Sequence, residues 1–434
     1  MRRGIFWVLL AGALSVVVVT SCKNALLSGG ILHFDQKRFD RAREVLLTAT
    51  KQEPGNAEAW LWLGKAYAEL DSTAQACATL AKAVSLQGPK YPTVKKDADD
   101  VLAHYWSVKH NNGLSQAKAA GDAKVAGNSE EAKKDYRLAL GEFEKAQVYG
   151  PNKSETPRNM GVCYFNLGQP DSGLMMLRES NRIAPNDEKS KDLLFDQYRR
   201  LGDQAAAQVD ASGNASKEGL ENGVKYYTAA DSLRSNDPDL LFSLGVVHYQ
   251  LAETDTMHKQ ENYRKAIEAF EKDLAAKPDD QEALYNTASL YLELKQCDKG
   301  LERAKALLDL DPKKGRYHDI LGRIYYCLGN KNERVAGIVF QRSLQPPGDM
   351  SGVTVVPVEE FRTHLGQADA QSDLVRKYRE EGKPEEVRTF TDSSSGAWEV
   401  WFYWSRGKAY AFQNGSLKYQ REFKAVKTAT PGTK

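Results

Sequence analysis

Five cysteines, seven histidines and seven tryptophans are the side chains from which this 434-residue chain could build chemistry. Four of the cysteines, Cys77, Cys163, Cys297 and Cys327, form no Cys-x-x-Cys pair, so neither a zinc site nor a thioredoxin-like redox pair is expected. They read as small buried helix residues. The alternative for Cys297 and Cys327 is a disulfide in a compartment that permits one, because Cys297 falls near a turn between two helices and Cys327 near the end of the helix that follows. His33, His248 and His318 fall inside helical patterns, where a structural role is commoner than ligation. His104 and His110 are six apart and do not share a helix face as ligand pairs do. There is no Gly-x-x-x-x-Gly-Lys, no Gly-x-Ser-x-Gly and no His-Glu-x-x-His. The acidic pairs Asp99-Asp100 and Asp279-Asp280 read as solvated helix ends. The expectation is a protein that is not an enzyme and holds neither cofactor nor metal.

The fifth cysteine differs. Met1-Arg2-Arg3, an apolar run from Gly4 to Val19 and the small residues before Cys22 follow the order of a secretory signal. The run is short for a membrane span of about twenty residues.

The elements that would position any site are set by a phrase that recurs about every thirty-four residues. One copy reads Ala59-Trp60, Leu63-Gly64, Tyr67, Ala76, Leu80 and Ala83; others read Gly161, Tyr164, Gly173, Leu177 and Pro185, and Ala288, Tyr291, Gly300, Ala304 and Pro312. This resembles the tetratricopeptide repeat, two short antiparallel helices closed by a proline. Small residues at the eighth and twentieth positions let the helices approach, and large ones at positions four, seven, eleven and twenty-four fill the space between units. A unit cannot bury its apolar face alone, so about eight units are expected to stack as an α-solenoid of antiparallel helix pairs. The stretch Asp97 to Lys124 loses the period and reads as an elongated first helix. The segments Asp210 to Ser216 and Glu253 to Asn262 read as insertions at the turn inside a unit.

After Pro346-Pro347-Gly348 the language changes. Glu359 to Glu381 reads as a mixed helical stretch, and then Trp398, Val400, Phe402 and Trp404 alternate with a period of two. Asn414-Gly415 is a two-residue hairpin signal. A small α+β module with a three-stranded antiparallel meander is expected. The runs Gly382-Lys383-Pro384-Glu385-Glu386-Val387, Trp398 to Tyr403 and Phe412-Gln413-Asn414-Gly415-Ser416-Leu417 resemble the end of SmpA/OmlA (BamE-like) envelope lipoproteins and of GWxTD domains. No Gly-Trp-x-Thr-Asp string is present, and the glycine and threonine usual before Phe361 in those families are absent.

Val19-Thr20-Ser21-Cys22 resembles the lipobox of bacterial lipoproteins. The resemblance implies cleavage before Cys22, a diacylglycerol and acyl chains such as palmitate on that residue, and, with Lys23 next, a place in the outer membrane facing the periplasm. The expected organisation is a signal peptide at 1–21, a solenoid at 22–350, the module at 351–425 and a flexible tail at 426–434. Lysine and arginine number 60 and aspartate and glutamate 58; without Arg2 and Arg3 the two are equal, so nucleic acid is not an expected partner. First helices of such repeats line the inner face, where Lys65, Glu69, Asn159, Asn166, Asn286 and Glu293 are left over after packing. The expected function is a lipid-anchored envelope scaffold that binds proteins or peptides there, in outer-membrane protein assembly, secretion or cell-wall complexes. The alternative is an envelope binding protein for a glycan or other non-protein ligand using the C-terminal aromatic module, which requires the indoles of Trp398, Trp401 and Trp404 to be exposed.

Overall fold

The computed structural model describes residues 25–357, 360–361, 365–366, 368, 371–393 and 395–426. The expected signal peptide, Cys22 and nearly all of the expected tail lie outside them. The helices come in pairs: α1 (25–35) with α2 (Phe39–Gln52), α3 (Ala57–Glu69) with α4 (Thr73–Ser85), α5 (Val94–Val125) with α6 (Ser129–Tyr149), and α7 (Glu155–Asn166) with α8 (Pro170–Ile183). They continue as α9 (Glu188–Ala206) with α10 (Lys217–Asp231), α11 (Pro238–Thr254) with α12 (Lys259–Ala276), α13 (Gln281–Glu293) with α14 (Cys297–Leu310), and α15 (Gly315–Cys327) with α16 (Lys331–Ser343). The chain forms two compact units, one ending at Leu194 and one beginning at Phe195.

Close approach within a pair is what the small residue at position eight provides, a glycine in every first helix but α13, where it is Ala288. A Cβ on Gly30, Gly64 or Gly161 would lie 2.5, 2.7 and 2.9 Å from Leu46, Leu80 and Leu177, each partner sixteen residues on. The same contact joins Gly113 to Phe143, Gly202 to Tyr227 and Gly245 to Phe270, so the longer intervals measure the inserted residues directly. Between α5 and α6 the insertion lengthens both helices. Between α9 and α10 it is a loop closed by a Val209–Ala215 bridge, and between α11 and α12 it includes a short 3-10 turn at Thr256–His258. Seven residues after position eight the chain turns through positive φ, at Lys37, Asp71, Gly168, Lys295 and Gly329, the usual way to end a first helix and reverse the chain. Asp280 caps α13 through the amides of Glu282 and Ala283. Asp99-Asp100 is a different case from the expected helix end: the pair lies inside α5, where Asp99 meets Lys95 at 2.7 Å one turn back.

The C-terminal part contains a five-stranded antiparallel meander, two strands more than expected, in the order β1 (Val353–Val355), β2 (Glu386–Asp392), β3 (Gly396–Tyr403), β4 (Lys408–Gln413), β5 (Ser416–Glu422), with α17 (Asp373–Glu381) before β2. Asn414 and Gly415 both take positive φ, the two-residue hairpin turn that their types require. Alternation divides the sheet into two apolar faces. Phe390, Trp398, Val400, Phe402, Trp404, Ala409, Ala411 and Phe423 share one continuous core with the buried residues of α12 to α16. Val387, Trp401, Tyr403, Tyr410 and Phe412 pack with Leu374 and Phe361 on the other side. The sheet therefore closes the open end of the last repeat, which a helix-pair stack needs covered.

Candidate protein-interaction surface

Among the residues expected to meet a partner, Lys65 and Glu69 fall on α3 and face α5. With Phe34, Asp97, Asp100, Val101, His104 and Tyr105 they line a depression of about 370 Å³. Phe34 sets its ring edge-on to Trp62 at 5.3 Å, and the Lys65 ammonium stands 4.0 Å from the Trp62 ring centroid. Burial lowers the Lys65 pKa, against the pull of Asp97, Glu58 and Asp35. The α5 residues of this depression were missed in the sequence because the repeat period fails there. Asp97, Val101 and His104 are nonetheless spaced i, i+4, i+7, which marks a single helix face.

Asn159 and Asn166 lie on α7, and both amides are engaged by α5 or by α7 itself. The Asn159 amide donates to His110 Nε2 at 3.3 Å, leaving the other ring nitrogen to donate to Thr156 Oγ1 at 3.2 Å. Burial lowers the His110 pKa and keeps the ring neutral, as this geometry requires. Asn166 accepts from Lys124 Nζ at 2.9 Å and donates to the Val162 carbonyl. In the second unit Asn286 is half-buried and Glu293 exposed on α13. Glu293 stands 3.9 Å from Arg323 of α15, and Glu282 pairs with Arg316 at 2.5 Å. First helices of neighbouring repeats are thus joined by polar side chains that remain at the surface.

The remaining chemical groups are structural. His248 bonds Asn262 at 3.3 Å and His318 bonds the Pro312 carbonyl at 2.8 Å, both buried. Cys297 and Cys327 are disulfide-bonded with Cα atoms 6.2 Å apart, joining the start of α14 to the end of α15; Cys77 and Cys163 are free. Among the described residues no cluster of histidine, cysteine or acidic groups could hold a metal, and no helix is long and apolar enough to cross a membrane. The tail tryptophans overturn the glycan alternative: Trp398, Trp401 and Trp404 are 4, 0 and 4% exposed. Their indole N–H groups are turned to Ser395, Glu399 and Glu386, so neither ring face nor polar edge is offered to a sugar.

Stacked antiparallel helix pairs closed by a small sheet define a helix-repeat solenoid protein. Two models of the tetratricopeptide-repeat family match the chain, at residues 27–93 and 257–324. No curated protein matches the chain. Similar solved structures include YrrB, described as a tetratricopeptide-repeat protein with an unusual peptide-binding site, at 14% identity over 48% of this chain and 95% of that one, TM-score 0.32. Others are MamA from Desulfovibrio magneticus RS-1, at 22% identity over 44 and 95%, TM-score 0.28, and the C-terminal part of a repeat-containing protein from Cytophaga hutchinsonii, at 13% over 75 and 97%, TM-score 0.30.

Proposed function

We propose that this chain is a scaffold that holds protein or peptide partners on its first-helix faces, tethered by lipid at Cys22 in a bacterial envelope and facing the periplasm from the outer membrane. The observation that carries the binding role is that first helices of each unit keep polar groups at the surface, Lys65, Glu69 and Asn166 in one and Glu293 in the other. Such a surface suits an extended segment or a partner helix held by side-chain hydrogen bonds. The envelope address is supported by the signal-like start and by the Cys297–Cys327 disulfide, which belongs to an oxidising compartment. Roles in outer-membrane protein assembly, secretion or cell-wall complexes all fit this address.

Photo-crosslinking residues placed at Glu69 and Glu293 in the full lipoprotein test the binding face, with Lys82 and Glu302 on second helices as controls. Envelope proteins should be trapped from positions 69 and 293 and not from the controls. Trapping from the controls alone would place the partner on the outer helices and overturn the reading. Replacing Cys22 by alanine should release the protein from the membrane fraction and remove the lipid mass from the mature chain.

A further inference from the structure

We propose that the depression between α1, α3 and α5 is a docking groove for a cationic, partly apolar peptide segment, so that this end of the protein selects partners by their lysine and arginine residues. The inference rests on the scaffold reading above and narrows it to one partner chemistry.

The floor is apolar: Phe34, Val101 and Tyr105 are half-buried, and Phe34 is backed by Trp62. The rim is acidic, with the carboxylates of Glu69, Asp97 and Asp100 against the single ammonium of Lys65. Asp35 and Glu58 add to the field at Lys65. Several acids on or near other first helices are matched by bases, among them Glu282 with Arg316, Glu293 with Arg323, and Asp71 with Lys109 and Lys145. Among the described residues no ion pair closes on Asp35, Glu58, Glu69, Asp97 or Asp100; Glu69 meets only the Tyr105 hydroxyl, and the nearby Lys95 is taken by Asp99. This concave, apolar-floored place therefore holds three carboxylates against one ammonium. Low-dielectric walls focus such a field and favour a positive ligand. The stem of a lysine or arginine would cover the floor while its head meets the rim.

The probe is a short fluorescent peptide alternating leucine and lysine, compared with counterparts carrying glutamate or glutamine in place of lysine, titrated against the mature full-length protein. The lysine peptide should bind the wild type best and weaken in high salt. Combined Glu69→Gln, Asp97→Asn and Asp100→Asn substitutions should weaken it about tenfold, with circular dichroism showing the variant folded at the assay temperature. Lys65→Gln, which removes the resident cation, should strengthen it. Unchanged affinity in the triple variant, or equal binding of the glutamate or glutamine peptide, would overturn the proposal. If that happens while envelope partners still crosslink at position 293, the scaffold reading stands and only the cationic groove falls; loss of both removes both.

Discussion

Gly337 and Gly141 both sit in the middle of helices, yet alanine should act on them in opposite directions. A Cβ at Gly337 would meet the His318 carbonyl oxygen at 2.6 Å and the Gly322 Cα at 2.9 Å, both backbone atoms that cannot swing aside. Overpacking of about 1–3 kcal/mol should exceed the gain in helix propensity of about 1 kcal/mol. Gly141 has nothing within 4 Å of its Cβ position. Gly141→Ala should stabilise the protein by roughly 0.5–1 kcal/mol, and Gly337→Ala should destabilise it; denaturant titration reads both. Asp273 offers a test by pH. It is 1% exposed near the end of α12, neither carboxylate oxygen has a hydrogen-bond partner, and burial, with Asp280 and Asp239 adding and Lys277 opposing, raises its pKa to about 6. A carboxyl whose folded pKa lies above its unfolded one supports the fold below the unfolded value and loses that support as pH rises through the folded one. Asp273→Asn should therefore be more stable than the wild type at pH 7.5, by on the order of 1 kcal/mol, with the difference shrinking toward pH 4. An equal difference at both pH values would show that ionisation is not the cause.

At the scale of elements, legibility followed how locally each contact is encoded. Gly64 and Leu80 could be read together because their spacing repeats at Gly161 and Leu177, and the Asn414-Gly415 turn because its two residue types require its geometry. β2 was not legible: Val387 and Phe390 are its buried residues, three apart, and Arg388 and Thr389 between them hide the period of two. β1 has only three residues and is defined by pairing with β2, a contact no local pattern announces. The α5 part of the groove was lost for a related reason, since its apolar residues answer to a lengthened helix rather than to the repeat. The sheet's role as a cover could not be read either, because alternation shows that two faces are apolar but not what each meets. Its consequence is measurable. Ending the chain at residue 350 would uncover the apolar surface of α14 to α16 that Trp398, Phe402, Trp404 and Phe423 now fill. The shortened protein should melt several degrees lower and self-associate. Unchanged melting and a monomeric profile in gel filtration would mean that the last repeat supports itself.

At the scale of the whole molecule, the address can be tested through a bond that the address itself decides. Cys297 and Cys327 are separated by 30 residues, and closing a loop of that length restricts the unfolded chain by roughly 3–4 kcal/mol in the chain-entropy picture. That stabilisation is available only where thiols are oxidised, since cytoplasmic reductants keep such pairs apart. If residues 1–21 export the protein, the full-length chain recovered from the envelope should carry Cys297 and Cys327 as one cross-linked peptide by mass spectrometry. A chain lacking those residues and retained in the cytoplasm should show the two thiols separately alkylated. The retained form should also melt several degrees lower, and mild oxidation should restore the difference, because the two sulfur atoms are already brought together by packing of α14 against α15. Cys77 and Cys163, the free thiols, should be unpaired in both forms and serve as the internal control. Separately alkylated Cys297 and Cys327 in the full-length chain would contradict residence in an oxidising envelope.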